Sequence, residues 1–359
     1  MGDRSLLGRP VVTARREGDT PRSFYLLGVS PFFMLGVGVL RYNEHGGAVI
    51  RQSDLSSWSR CNLQKKYQDE AIHDPTAPQG EALSATVFGS IMHYALMNLE
   101  MLWYNRRYDA LDVAVATFEH YWHPENQDKL EGVDRVTVWL PRQTWGGLLE
   151  RGRRTLRDYF DILQKDSGKL LALEYQFEVP LEGEDGRPHT LTGTVDRLAL
   201  RLHYRKPYLS VEDFKTGKQP TFLRWNMQGT AYSYASTRPE FWTPTSPLMT
   251  GFDAETLTAL EKAFAVKKFN LHETSGYPDF PLASRRFRWI NVKEMSVGDG
   301  GWRAPRDYAR LRLAATAYVD AVEDGIYMPS LSGEVCTYCP FQRTCAGTGI
   351  AAENEGQPL

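Results

Sequence analysis

The sequence predicts an α/β protein with a mixed central sheet flanked by helices. Three observations predict it. Helical periodicity dominates from about residue 53 to residue 164, alternating apolar runs separated by turn signals follow from 169 to 214, and helical patterns return at 224–236 and 305–325. A block of helices, a run of strands and further helices fit one sheet covered on both faces better than a bundle or a sandwich.

The elements follow in order. Residues 53–67 read as a short helix carrying Cys61, with Ser53 or Asp54 as its cap. Residues 69–81 are polar, hold Pro75 and Pro78, and read as a loop. Residues 82–105 form a long helix with Val87, Ile91, Ala95 and Leu99 along one face; 111–121 and 144–164 are two more helices. Strands are expected at 169–179, 190–201 and 208–214, the first two joined through the turn Gly183-Glu-Asp-Gly186 and the second ended by Arg205-Lys-Pro207. A helix at 224–236, a strand at 287–292 and a helix at 305–325 complete the pattern, with a loop-rich tail behind. There are no internal repeats and no low-complexity region.

A formal charge of −2 over 359 residues gives no global basic field, so a nucleic-acid partner has to be held by local patches. Arg151, Arg153, Arg154 and Arg157 on a helix, and Arg285, Arg286 and Arg288 on a strand, are the candidates; the alternative for each is a solvated surface. Residues 23–40 are uncharged and mostly apolar but broken by glycines and Pro31, at the short limit for a membrane span. They read as an accessory packing segment or as sequence upstream of the domain rather than as an anchor, so no membrane is expected. The division is a 1–48 extension of uncertain status, a domain at 49–347 and a flexible tail at 348–359.

The four cysteines fall as one plus three: Cys61 alone, then Cys336, Cys339 and Cys345. Four thiolates converging on one point hold a structural zinc or an iron–sulfur cluster. Zinc ribbons pair two CxxC knuckles, so the one-plus-three split favours Fe4S4, with zinc and unrelated thiols as the alternatives. No signal peptide is evident, which argues for reduced thiols in the cytoplasm rather than disulfides.

Between the two cysteine groups lies a polar constellation. Asp213 and Lys215 are two apart on a strand, so both leave the same face. The carboxylate suits Mg²⁺ or Mn²⁺, and the lysine suits orientation of a water and balance of charge at phosphorus. Asp196 ends the motif Gly193-Thr-Val-Asp on the preceding strand, where a hairpin would let it share a metal with Asp213. His93 lies one turn after Gly89 on its helix, and an imidazole there would complete a metal shell and favour Mn²⁺. Gln228 and Tyr232, at i and i+4, share a helix face. Glu174 on the first strand is an outer-shell carboxylate or an extra ligand. Each residue alone has a structural reading: a strand-end salt bridge for Asp213, a turn for Asp196, a packing histidine for His93.

The order of these pieces resembles the RecB-like branch of the PD-(D/E)XK nuclease superfamily. The matching segments are Gly89-Ser-Ile-Met-His93, Gly193-Thr-Val-Asp196, Asp213-Phe-Lys215-Thr-Gly-Lys218 and Gln228-Gly-Thr-Ala-Tyr232. With its cysteines the chain looks like the iron–sulfur members, which include AddB-type helicase–nuclease subunits and CRISPR adaptation nucleases. The resemblance implies a restriction-endonuclease-like core over about residues 50–347. It implies His93, Asp196 and Asp213 as metal ligands, Lys215 as catalytic, Glu174, Gln228 and Tyr232 in the active site, and Cys61, Cys336, Cys339 and Cys345 around the cluster. Asn62 stands where the family often has proline, and no Walker A sequence marks a helicase motor. Extra length lies before Val49 and around 237–280. The implied function is a Mg²⁺- or Mn²⁺-dependent DNA exonuclease acting on single-stranded or frayed ends in recombination or repair. The alternatives are a CRISPR adaptation nuclease working with an integrase partner and a non-catalytic DNA-binding protein.

Overall fold

The computed structural model describes residues 40–74, 76–77, 79–203, 206–217, 226–242, 285–330, 335–336, 338–343 and 345. The apolar stretch before residue 40, most of the 1–48 extension, Lys218, the bulk of the 237–280 segment and the tail beyond 347 lie outside the described residues.

The elements are β1 (Arg41–Tyr42), β2 (Ala48–Arg51), α1 (Gln52–Arg60), α2 (Asn62–His73), α3 (Ser84–Tyr104), α4 (Ala110–Trp122), α5 (Trp145–Leu163), β3 (Lys169–Glu182), β4 (Pro188–His203), β5 (Lys206–Lys215), α6 (Met227–Ala235), β6 (Arg285–Asn291), β7 (Ser296–Asp299) and α7 (Pro305–Glu323). Among the described residues they build one seven-stranded sheet in the order β1-β2-β4-β5-β6-β7, with β3 on the other edge of β4. It is mixed, as expected: β2/β4 and β5/β6 are parallel and the remaining pairs antiparallel.

Alternation along the strands feeds two cores. Leu209 and Val211 of β5 pack with Ala231, Tyr232 and Tyr234 of α6 and with Leu311 and Ala315 of α7. Phe214 of β5 and Ile290 of β6 pack with Val87, Ile91 and Ala95 of α3, Phe118 of α4 and Leu156 of α5. The sheet is therefore covered on both faces, which is what a strand set with few solvent-facing positions requires.

β4 organises the functional end. One of its edges is paired to β3 almost throughout. The other is paired to β2 at Thr190–Thr192 and to β5 only from Arg197 onward. Between those stretches the sheet forks, and Gly193, Thr194 and Asp196 sit in the fork.

Four boundaries differ from the sequence reading, the first being that residues 69–73, read as the start of a loop, are the last turn of α2. The single helix at 53–67 is two helices, because Cys61 is extended (φ −161°, ψ 109°) and its sulfur caps α2 by accepting from Gln64 N. β5 begins at Lys206, through Pro207, because Pro207 pairs with Leu202 beyond the end of β6, where no ladder bond needs its missing N–H. β3 continues through Pro180 to Glu182 because it pairs only with β4 and can turn the proline outward. The short strands β1, β2 and β7 had no sequence signal.

Both arginine clusters are partly engaged within the fold. Arg151 donates to Thr216 O and stacks on Phe88, and Arg153 pairs with Glu119 and Glu150, leaving Arg154 and Arg157 exposed. Arg285 donates to Ser236 O, Arg286 lies against Tyr208, Trp302 and Asp299, and Arg288 pairs with the buried Glu212.

Candidate functional site

The site gathers at the fork. His93 comes from α3, whose close approach is permitted at Gly89: a Cβ there would lie 3.2 Å from Thr216 Oγ1 of the loop after β5. His93 Nδ1 is 3.4 Å from Asp196 Oδ2, and its ring meets the Phe214 ring edge-on at 6.1 Å. Asp196 Oδ2 also accepts from Phe214 N at 2.7 Å, which ties β4 to β5 at the fork. Gly193, three residues earlier, admits the Phe177 ring: a Cβ would sit 2.8 Å from Phe177 Cζ.

Glu174 enters from β3 with a left-handed backbone, φ 47°, between the pairs Leu173/Arg197 and Tyr175/Val195. A non-glycine residue held there inside a strand stores strain, and such residues concentrate at functional sites. His93, Glu174 and Asp196 each present a donor atom within 4.8 Å of the others, the one such metal-donor group among the described residues. Burial pushes Asp196 up to about 6, with the Asp213 charge adding to it against His93. Burial, then the charges of Asp196 and Asp213, hold Glu174 well above the ordinary carboxylate range. Partly buried carboxylates that repel one another are a donor set that a cation relieves, and imidazole with carboxylates suits Mn²⁺ or Mg²⁺. The residues present therefore fit a divalent ion.

Asp213 stands beside this group rather than within its 4.8 Å set. It is buried, and both its oxygens are engaged: Oδ2 by Lys215 Nζ at 2.5 Å and Oδ1 by Gln228 Nε2 at 2.7 Å. Gln228 Oε1 accepts from Lys215 Nζ at 3.2 Å, and its amide also donates to Tyr232 Oη at 3.1 Å. Tyr232 donates to Thr194 O at 2.5 Å, satisfying a carbonyl in the fork. Burial, with the Asp213 and Asp196 charges, holds the phenol well above its usual range, so it stays a donor. Burial works against the Lys215 charge, but Asp213 and then Asp196 outweigh it and raise the ammonium, with Arg60 opposing.

The structure thus brings all seven residues named from the sequence to one end of the sheet. What sequence reasoning missed lies next door. Arg197, fully buried, ion-pairs with Glu100, Asp166 and Glu212, while Arg201 and Arg288 also converge on Glu212. The segments Asp-Arg and Glu-Asp carried the signal, but each reads as an ordinary surface pair until the strands are aligned.

The four cysteines line one small cavity with Gln64, Tyr67, Pro329, Ser330 and Gln342. All four are free thiols. Cys61 Sγ accepts from Gln64 N at 3.4 Å and Ser330 N at 3.3 Å. The C-terminal segment is fastened to the same region by Leu63 N to Met328 O at 3.2 Å, Glu81 N to Pro340 O at 2.9 Å, and the Tyr67–Phe341 ring pair. No three sulfurs lie within 4.8 Å of one another.

A forked mixed sheet with a histidine, three carboxylates and a lysine at one end defines the class as nuclease-like. The chain belongs to the PD-(D/E)XK nuclease superfamily, whose model matches residues 52–346. Nucleases of this superfamily use divalent metals, and membership makes nucleic-acid hydrolysis the class of activity and DNA the class of substrate. Among solved structures, the crystal structure of SSO0001 aligns over 79% of this chain and 94% of that one, at 12% identity and a TM-score of 0.27. No curated protein matches the chain. Among the described residues no helix is long and apolar enough to cross a membrane.

Proposed function

We propose that the protein is a Mg²⁺- or Mn²⁺-dependent DNA exonuclease of the RecB-like kind, acting at single-stranded or frayed ends in recombination or repair in the cytoplasm. The observation that carries the reading is the His93/Glu174/Asp196 donor group with Asp213 and Lys215 beside it, inside a superfamily match that spans most of the chain.

His93, Glu174 and Asp196 would hold the ion, with Asp213 turning from Lys215 and Gln228 to join them. A bound divalent ion supplies an acidified water and polarisation of the phosphodiester. The chain does the rest. Lys215 orients the attacking water and balances charge building on the phosphate oxygens. Gln228 fixes where the ammonium points, because its oxygen takes Lys215 while its nitrogen is committed to Asp213 and Tyr232. Tyr232 holds the fork open in one geometry through Thr194 O.

The same reading takes Cys61, Cys336, Cys339 and Cys345 as ligands of a structural Fe4S4 cluster. A shared cavity and two backbone N–H groups aimed at the Cys61 sulfur support it. Zinc is the other group that four thiolates would hold. The cluster would fasten the C-terminal segment to α2 and close the chain around a DNA end.

The test is cleavage of 5′- and 3′-labelled linear single strands beside a circular single strand, with Mn²⁺ and anaerobically purified protein. Loss of one label ahead of the other from linear DNA, with the circle intact, is the expected result. Cleavage of the circle as fast as the linear strand would overturn the exonuclease reading.

A further inference from the structure

Two arginines on one flank of α5 lead away from the site and have no part in the chemistry described above. Arg151 Nη2 donates to Thr216 O, the carbonyl of the residue that follows Lys215. α3 approaches the same threonine: a Cβ on Gly89, one turn before His93, would meet Thr216 Oγ1 at 3.2 Å. The Arg151 guanidinium lies over the Phe88 ring, 5.0 Å from its centroid. Arg151 is thus held between α3 and the loop that leaves β5, beside the lysine of the site.

Its charge is unanswered. The side chain is half-buried, Nε is out of solvent with no hydrogen-bond partner, and no carboxylate pairs with it among the described residues. Arg153, two positions on, is neutralised by Glu119 and Glu150. Withdrawing a guanidinium from water without a counter-charge is unfavourable, and this one stands beside a site that takes a polyanion. Arg154, one turn further along the same flank, is exposed and also makes no ion pair among the described residues. Asp158 follows on that flank and ends the positive stripe, and Arg157 falls on another face of the helix.

We propose that Arg151 and Arg154 guide the DNA strand along α5, Arg151 on the backbone phosphate next to the scissile one and Arg154 on the phosphate beyond it. This rests on the nuclease reading above. A guanidinium forks onto two oxygens of a phosphate, and Thr216 O engages only Nη2 of Arg151, so the rest of the fork is left for the strand. Phe88 and Thr216 hold Arg151 in place before the strand arrives. Both contacts are sequence-independent, because a phosphate carries no base information.

The test measures binding of a fluorescein-labelled oligothymidylate 20-mer across a salt series, with Ca²⁺ in place of Mn²⁺, for wild type, Arg151→Gln, Arg151→Lys and Arg154→Gln. Loss of one phosphate contact on a single strand lowers the slope of log Kd against log salt by about 0.7. Arg151→Gln and Arg154→Gln are each expected to show that loss, and Arg151→Lys to keep the slope while binding more weakly, since an ammonium lacks the planar fork. An arginine that only braces the Thr216 loop would alter melting or cleavage and leave the slope unchanged. Arg154 is exposed, so Arg154→Gln decides alone if Arg151→Gln does not fold. Unchanged slopes in the folded glutamine variants overturn the inference while leaving the nuclease reading standing. Wild type that fails to bind the oligomer overturns the reading and the inference together.

Discussion

Arg197 of β4 stands opposite Glu212 of β5 and ion-pairs with it, both side chains fully buried, one residue along from Asp196 and Asp213. A one-residue slip between these strands would send each carboxylate to the wrong face. Such a slip would also bury Arg197 and Glu212 without their partners. The ion lattice therefore fixes the register on which the site depends.

Glu212→Gln should test that lattice. Removing one partner of a buried ion pair costs about 3–5 kcal/mol, and here three arginines lose their common acceptor. The midpoint of urea unfolding at pH 7 should fall accordingly; a loss below about 1 kcal/mol would mean that the arginines are served by Glu100 and Asp166 alone.

The same residue sets an acid limb. Burial favours the neutral carboxyl, but Arg197, Arg201 and Arg288 outweigh it and hold Glu212 down at about 2. Its folded value is below its unfolded value, so its contribution is complete above about pH 4.5 and is lost as pH falls towards 2. Wild type should lose about 3 kcal/mol more than Glu212→Gln between pH 6 and pH 2. Unfolding midpoints for the two proteins at pH 6, 4 and 3 should converge; parallel curves would contradict the assignment.

Glu174→Gln should separate stability from metal binding. The carboxylate is half-buried, repelled by Asp196 and Asp213, and carried on a strained backbone. Its neutral isostere should stabilise the metal-free protein by about 1 kcal/mol while weakening Mn²⁺ binding. Thermal melts with and without Mn²⁺ check both halves, and a variant less stable without metal would show that Glu174 is structural.

Gln228→Ala removes the amide that aims Lys215 and Asp213. Loss of such an outer partner costs about 10–100-fold in metal affinity or activity. A cleavage rate within twofold of wild type would leave Gln228 without the orienting role.

Cys345→Ala should lose iron and melt at a lower temperature, whereas Asp213→Asn should keep its iron. Iron analysis and absorbance of anaerobic preparations decide this, and iron-free wild type with bound zinc would reassign the centre.

Much of this was legible beforehand, and the reason is local. Asp213-x-Lys215 and Gln228-x-x-x-Tyr232 are each read by one strand or helix period, so their shared faces needed no tertiary information. The long helices and the β3–β4 hairpin were likewise strong periodic signals. What stayed hidden is what only strand pairing creates. Glu174 was named as an outer-shell carboxylate or an extra ligand, but its left-handed backbone inside β3, where it stands beside His93 and Asp196, is a conformation for which Leu-Glu-Tyr carries no signature. The fork in β4 depends on β2, a strand of four residues that ends at Arg51, far upstream of Pro188 where β4 begins, and alternation cannot reveal a strand of that length.

The central claim is that one divalent-metal site at the fork cuts DNA. The most direct measurement is a Mn²⁺ titration of wild type and Asp196→Asn, following cleavage of a labelled single strand and, by calorimetry, Mn²⁺ binding. The account predicts saturable binding and metal-dependent cleavage in wild type, with both lost in a folded Asp196→Asn. Cleavage by Asp196→Asn at the wild-type rate, or wild-type protein that binds no Mn²⁺, would contradict it.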